Sequence, residues 1–142
     1  MDHSQGPDEV LIIPCSGIGK VHGLVGREAT YSALEHLPEQ AETVCLALLV
    51  TGDPDPRRKV REHPSITVDG CPKLCAQKNV ELAGGQVALG VRVYETMKRH
   101  RGENFGTPTA LSEQGLAMAD EIGGAIAAAA RGILEGKEGH HG

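Results

Sequence analysis

Apolar positions along the chain fall into short branched runs and longer stripes of three- and four-residue spacing. The run VLIIP at Val10 is branched and apolar on successive positions, the pattern of a strand covered on both faces, and it stops at Pro14 and Cys15. Ser16, Gly17 and Gly19 then make a tight turn. From Val21 the residues Leu24, Val25, Ala29, Ala33, Leu34 and Leu37 recur at helical spacing up to Pro38. A second unit of the same kind follows at about residues 65 to 84. Ile66, Thr67 and Val68 form its strand, which ends at Gly70, and Pro72 favours a helix start with Leu74, Val80 and Leu82 on the way to Gly84 and Gly85.

Other segments are less uniform. Val44 to Val50 reads equally as a buried strand or a helix start, and Pro54 and Pro56 end whatever precedes them. RRKVREH supplies a short polar helix at most. Alternation of Val91, Val93 and Glu95 with Arg92 and Tyr94 predicts a third strand, weakened by Gly90. After a loop at about 102 to 109, an alanine-rich helix runs from Ser112 to Leu134, with small residues on one face that permit close packing. Strands alternating with helices predict an α/β fold, a three-layer sandwich with a mainly parallel sheet built from Rossmann-like strand-turn-helix units. The expected layout is one domain over residues 9–136 with loose tails at 1–8 and 137–142.

Composition narrows the function classes. With 142 residues, 39% hydrophobic and 23% charged, the chain has the make-up of one folded globular domain. Its longest run of apolar or glycine residues, Ile122 to Ala130, falls far short of the roughly 20 residues a bilayer demands, so no membrane partner is expected. The N-terminus carries acids where a signal peptide needs bases, which predicts a cytoplasmic protein. A net charge of -5 and 2% aromatic residues argue against nucleic acid. The basic clusters Arg57, Arg58, Lys59, Arg61 and Lys98, Arg99, Arg101 read as solvated helix faces. Few rings leave a core of small aliphatic side chains, for which a bound metal would compensate.

The chemistry rests on Cys15, Cys45, Cys71 and Cys75. Cys15 and Cys71 follow strands, and the carboxyl ends of parallel strands line the crevice where α/β proteins bind ligands. Cys71 and Cys75 are four residues apart, so with Cys71 capping a helix both sulfurs meet around its first turn. There the free N–H groups, with Lys73 and Lys78, favour thiolates that ligate a soft cation or attack as nucleophiles. Three readings compete at this level: buried small hydrophobes, disulfides, which a reducing cytosol disfavours, and a thiolate metal site. The pair is C-x3-C and not the commoner C-x2-C of zinc sites, and a thioredoxin-type C-x-x-C is absent.

The segments IIPCSGIGK, VCLALLV and ITVDGCPKLCAQKNVELAGG resemble the zinc-binding DGC-domain family, named for its Asp-Gly-Cys motif, over about residues 10 to 85. GDPDPRRK departs from the glycine-rich segment of many relatives. The resemblance implies that Cys15, Cys45, Cys71 and Cys75 act together as ligands of Zn2+; it names a metal and not a reaction. A geometric condition follows for Cys45. On a parallel strand it would lie about 15 Å below the strand ends at roughly 3.3 Å per residue. A four-cysteine site therefore needs Cys45 in a loop or at a helix start; failing that, His22 or water completes the coordination.

Supporting roles fall to neighbouring residues. Asp69 can accept N–H bonds and fix the turn, and Gly70 can supply a backbone conformation closed to other residues. Ser16 is read first as the cap of the following helix and otherwise as a donor to sulfur. His140 and His141 lie in the tail. SGIGK is no phosphate loop, because Pro14 occupies the first glycine position and Val21 the Ser/Thr position. Nucleophile-elbow, His-Glu-x-x-His and dinucleotide motifs are absent.

The sequence thus points to a cytoplasmic zinc protein with its thiolates at the carboxyl edge of a sheet. A closed shell of four cysteines points to folding or to interaction with another protein, and an exchangeable fourth ligand to Lewis-acid chemistry. The alternatives are a thiol redox or sulfur-transfer protein using Cys71 or Cys75, and an iron-sulfur protein.

Overall fold

The computed structural model describes residues 8–15, 20–70, 72–100 and 102–136. Strand β1 (Val10–Pro14) leads to helix α1 (Val21–Glu35), the two-residue strand β2 (Ala41–Glu42), and helices α2 (Leu46–Val50) and α3 (Pro54–Glu62). Strand β3 (Ser65–Asp69), helix α4 (Cys75–Leu82), strand β4 (Val87–Arg92) and helix α5 (Val93–Lys98) follow. A small antiparallel pair, β5 (Gly106–Thr107) and β6 (Ala110–Leu111), precedes the long helix α6 (Glu113–Leu134).

The main sheet is parallel throughout, in the order β2-β1-β3-β4. β1 alternates its buried side chains between two cores, as an unbroken apolar run must. Val10 and Ile12 join Ile66 and Val68 of β3 under α1, α5 and α6. Leu11 and Ile13 face the opposite layer with Leu46, Leu49, Val60 and Val80 of α2, α3 and α4. The result is a three-layer α/β sandwich. The chain steps outward from β1 to β2, then back across β1 to β3, and right-handed crossovers require those two connections to lie on opposite faces. Direction therefore reverses between β1 and β3, which opens a crevice at their carboxyl ends.

One segment that the sequence left open takes the helical alternative, and two boundaries differ from the sequence pattern. Val44 to Val50 is not a strand: Cys45 is extended and a helix starts at Leu46. Leu46 and Leu49 are buried while Leu48 and Val50 stay exposed, the three-residue spacing of a helix with one covered side. The third predicted strand stops at Arg92, because Val93 and Met97 are both buried one helical turn apart and draw the chain into α5. Helix α4 begins at Cys75 and not at Pro72, since Leu74 adopts φ 55°, a left-handed conformation that breaks the path into the helix. The prolines at 54 and 56 do punctuate the chain, and they open α3, with Asp53 capping it through a bond from the Asp55 N–H.

Small residues on α6 allow close contact with α1. A Cβ on Gly123 would stand 2.7 Å from Ser32 Cβ and 2.9 Å from the Ala29 carbonyl oxygen, whereas one on Gly124 would meet nothing within 4 Å. Adjacent Gly→Ala changes should therefore have opposite signs. Gly123→Ala is expected to destabilise by about 1–3 kcal/mol through overpacking. Gly124→Ala should stabilise by roughly 0.5–1 kcal/mol through helix propensity alone. Denaturant unfolding of the two variants checks the pair.

The short edge strand β2 is tied to α3 by Glu42, which accepts a hydrogen bond from Lys59 Nζ at 2.5 Å. That bond holds the Glu42 carboxyl below its ordinary 4.5, against the opposing effect of burial. A carboxyl depressed by folding stabilises above its unfolded pKa and loses that contribution as pH falls through the folded value. Glu42→Gln should therefore be less stable than the native chain at pH 7, and the difference should fade on acidification from 4.5 downward; urea unfolding across pH measures it.

Candidate functional site

The crevice at the carboxyl ends of β1 and β3 is built by backbone geometry first. The Cys15 N–H donates to the Val68 carbonyl at 3.0 Å, which extends the strand pairing one residue past β1. Its side chain is almost fully buried, and Cys15 Sγ accepts the Gly70 N–H at 3.4 Å. Gly70 directly precedes Cys71, so the bond ties the end of the first strand to the start of the Asp-Gly-Cys loop.

Asp69 closes that loop from the other side. It is 1% exposed, and its two oxygens accept the N–H groups of Ala76 at 2.7 Å and Gln77 at 3.1 Å. These are among the first four N–H groups of α4, which have no acceptor within the helix. A carboxylate reaching back from the end of β3 thus caps the helix that begins with Cys75, a task the local cap residue Leu74 cannot perform. Burial pushes the Asp69 carboxyl up, while the Ala76 and Gln77 N–H bonds and the charges of Arg92 and Lys78 pull it down.

Gly70 has a different reason from the one its type suggests. Its φ is not in the left-handed region; instead a Cβ there would stand 3.0 Å from Gly23 N and 3.1 Å from His22 C, in the first turn of α1. The glycine lets the loop touch that turn. Gly70→Ala should consequently cost about 1–3 kcal/mol, because the atoms it meets are backbone and cannot rotate aside. Thermal unfolding tests this, and a cost below 0.5 kcal/mol would mean the loop and α1 separate easily.

The three described cysteines fall at the carboxyl end of the parallel sheet, Cys15 after β1, Cys45 before α2 and Cys75 at the start of α4. Cys45 is exposed and caps α2 with extended backbone, so it sits at a helix start, as a site at this edge requires. Cys75 is exposed at the first position of α4, and α2 packs against α4. Cys45 and Cys75 carry free thiols. Cys71 and Ser16 lie outside the described residues, as do His140 and His141. Helix α1 takes Lys20 as its N-cap, with no side-chain cap bond. Among the described residues, no three Cys, His, Asp or Glu side chains stand close enough together to hold a metal ion.

His22 lies in the turn of α1 that Gly70 touches. Burial, then the charge of Lys20, holds its imidazole below the ordinary value, and the neutral ring is the form that ligates metals. Beside Cys15, a cleft of about 340 Å³ is lined by Pro14, Arg27, Tyr31, Thr43, Val44, Cys45, Leu46 and Ala47. Arg27, Tyr31 and Thr43 have no sequence signal, being ordinary residue types from α1 and the β2–α2 loop. Proximity to Cys15 and Cys45 alone marks them out. No helix among the described residues is long and apolar enough to cross a membrane.

Comparison with known proteins returns one result. No curated protein and no solved structure matches the chain. The family model described as DGC domain matches residues 11–117, well over half of the sequence and inclusive of all but the first residue of β1, the Asp-Gly-Cys motif and all four cysteines. The chain belongs to the DGC domain family.

Proposed function

We propose that this protein binds one zinc ion through the thiolates of Cys15, Cys45, Cys71 and Cys75 and acts in the cytoplasm. The observation that carries the reading is the bond from Gly70 N–H to the buried Cys15 sulfur. It fixes one thiol beside the Asp-Gly-Cys loop at the reversal point of a parallel sheet, where α/β folds place their chemistry. Cys45 and Cys75 at the starts of α2 and α4 add two thiols to the same edge, and thiolates are the donors that zinc prefers. With Cys71 as the fourth thiolate the set would complete the tetrahedral shell that zinc prefers, and metal affinity would add to folding stability. Within it, Asp69 positions the start of α4 and Gly70 the loop against α1, so this chain's own contribution is orientation of the sulfurs. Bound zinc would supply either a structural crosslink or, with one exchangeable ligand such as water or His22, a Lewis acid.

A second reading uses Cys75 as a reactive thiol. It is exposed at the first position of α4, within reach of a reaction partner, a placement suited to sulfur transfer or, by exchange with an external disulfide that takes up the two electrons, to a transient disulfide with Cys71. A four-thiolate iron-sulfur cluster is the remaining alternative. Metal analysis of protein purified without added zinc, with a visible spectrum and a thiol titration, separates them. About one zinc per colourless chain, with thiols protected until chelation, supports the zinc site. Brown absorption replaces it with a cluster, and metal-free protein with one rapidly alkylated cysteine replaces it with a thiol enzyme.

A further inference from the structure

Strand β4 forms one edge of the main sheet. β3 pairs with it on one side, and among the described residues nothing pairs with it on the other. Folded proteins protect such edges with charged side chains, prolines, bulges or a very short run. β4 is six residues long, and its charged residue, Arg92, comes last. Ser65 pairs with Val87 and Ile66 with Leu89, so the irregular step at Ala88 falls near the amino end and leaves Leu89 to Arg92 in regular register. Leu89 and Val91 pack toward the core under α5 and α6 and are only partly buried. They line a groove whose other wall includes Ile122 and Ala125 of α6, with Arg99 and Glu121 at its opening. Both charged residues are exposed, and neither side chain forms a hydrogen bond or an ion pair among the described residues.

We infer that β4 pairs antiparallel with β4 of a second copy of this chain, about a two-fold axis at Gly90 that joins the two four-stranded sheets into one. An axis normal to the sheet returns each face to itself. Leu89 of one copy then stands opposite Val91 of the other on the α6 side, and the same pair repeats by symmetry. The outward N–H and C=O groups of both edges are satisfied together. Charge selects a second copy over a strand of another kind. The groove opening carries one cation and one anion, so a uniformly basic or acidic partner gains at one residue what it loses at the other. A copy related by half a turn carries the same two charges in reversed order, which directs each Arg99 toward Glu121 of the other copy. Its own Leu89 and Val91 meet the apolar part of the groove. The inference uses no cysteine, so it stands or falls apart from the zinc reading.

The test is sedimentation of the purified protein under a reducing agent, across a concentration series reaching about 1 mM. A monomer–dimer equilibrium is expected. The amides of Leu89 to Arg92 should exchange with solvent more slowly in the dimer than in the monomer. In a mixture of isotopically labelled and unlabelled copies, Leu89 and Val91 should show nuclear Overhauser effects between copies. Arg99→Glu and Glu121→Arg should each weaken association at least about tenfold by setting like charges together. The doubly reversed chain should regain most of that loss, a recovery that damage to either monomer alone cannot give. Ala125→Glu, which places an acid in the groove, should also weaken association by about tenfold or more. All three positions are exposed, so these variants leave the core intact. A chain that is monomeric throughout gives the edge to some other strand and overturns the proposal. So does slow exchange of the edge amides in the monomer, a dimer without contacts between Leu89 and Val91, or a doubly reversed chain no better than either single variant.

Discussion

Asp69→Ala is expected to destabilise the protein by roughly 3 kcal/mol, the largest loss from any single polar side chain described above. The carboxylate satisfies the N–H groups of Ala76 and Gln77 at the first turn of α4, the first of these bonds buried. Removing a helix cap alone costs about 1 kcal/mol, and each buried donor left unpaired adds roughly 1–3 kcal/mol before water relieves it. For a chain of this size the midpoint of thermal unfolding should fall by roughly 10 °C. Asp69→Asn keeps one acceptor oxygen and should recover about half of the loss. Chemical denaturation of the three proteins with a common m value gives the comparison. An Asp69→Ala variant within 1 kcal/mol of the native chain would show that α4 holds its position without this cap.

The second large effect concerns the sulfurs. Cys71→Ser and Cys75→Ser should each lose metal and stability together, with zinc affinity reduced by at least about a hundredfold, since loss of a ligand exceeds the 10–100-fold cost of losing a supporting partner. Cys15→Ser should do the same and also forfeit the Gly70 N–H···S bond at the strand ends. Cys45→Ser is the most informative of the set, because Cys45 is exposed at a helix start and contributes little to packing, so its effect on metal is free of any core defect. Retention of full zinc content by a variant, measured by elemental analysis of the purified protein, removes that residue from the site. Chelator treatment of the native chain should lower its unfolding midpoint, and readdition of zinc should restore it.

Much of the fold was legible because it depends on patterns that tertiary contacts reinforce. β1 and β3 are branched runs closed by Pro14 and Gly70, and they became the two central strands. The stripe from Val21 became α1, and the alanine-rich segment became α6 with Ser112 as its cap, its side chain accepting the Gly115 N–H. What failed was decided by contacts that no local pattern carries. β2 is two residues long and exists only through pairing of Ala41 and Glu42 with Val10 and Leu11. Val91, Val93 and Glu95 alternate like a strand, yet burial of Val93 and Met97 on one helical turn ends the strand at Arg92. The left-handed turn at Leu74, which delays α4 to Cys75, occurs at a residue type that rarely adopts it and so leaves no trace in the sequence.

The candidate site divides in the same way. Cysteines announce their chemistry by type, and their positions after strands or before helices follow from the order of elements. The reach of Asp69 across seven residues to cap α4 could be anticipated only as an acceptor near a turn, because its partners depend on where the helix begins. Gly70 reads as a conformational glycine and is one of close approach, a distinction set by the neighbouring turn of α1. Arg27, Tyr31 and Thr43 are common residues separated in sequence, and only the fold gathers them beside Cys15.

The most direct test is X-ray absorption at the zinc edge of the purified protein. Thiolate ligation from both sides of the crevice predicts a dominant sulfur shell at about 2.3 Å, weakened stepwise in Cys45→Ser and Cys75→Ser. A shell of only nitrogen and oxygen at about 2.0–2.2 Å, or a protein without an absorbing metal, would contradict the assignment of zinc to these cysteines.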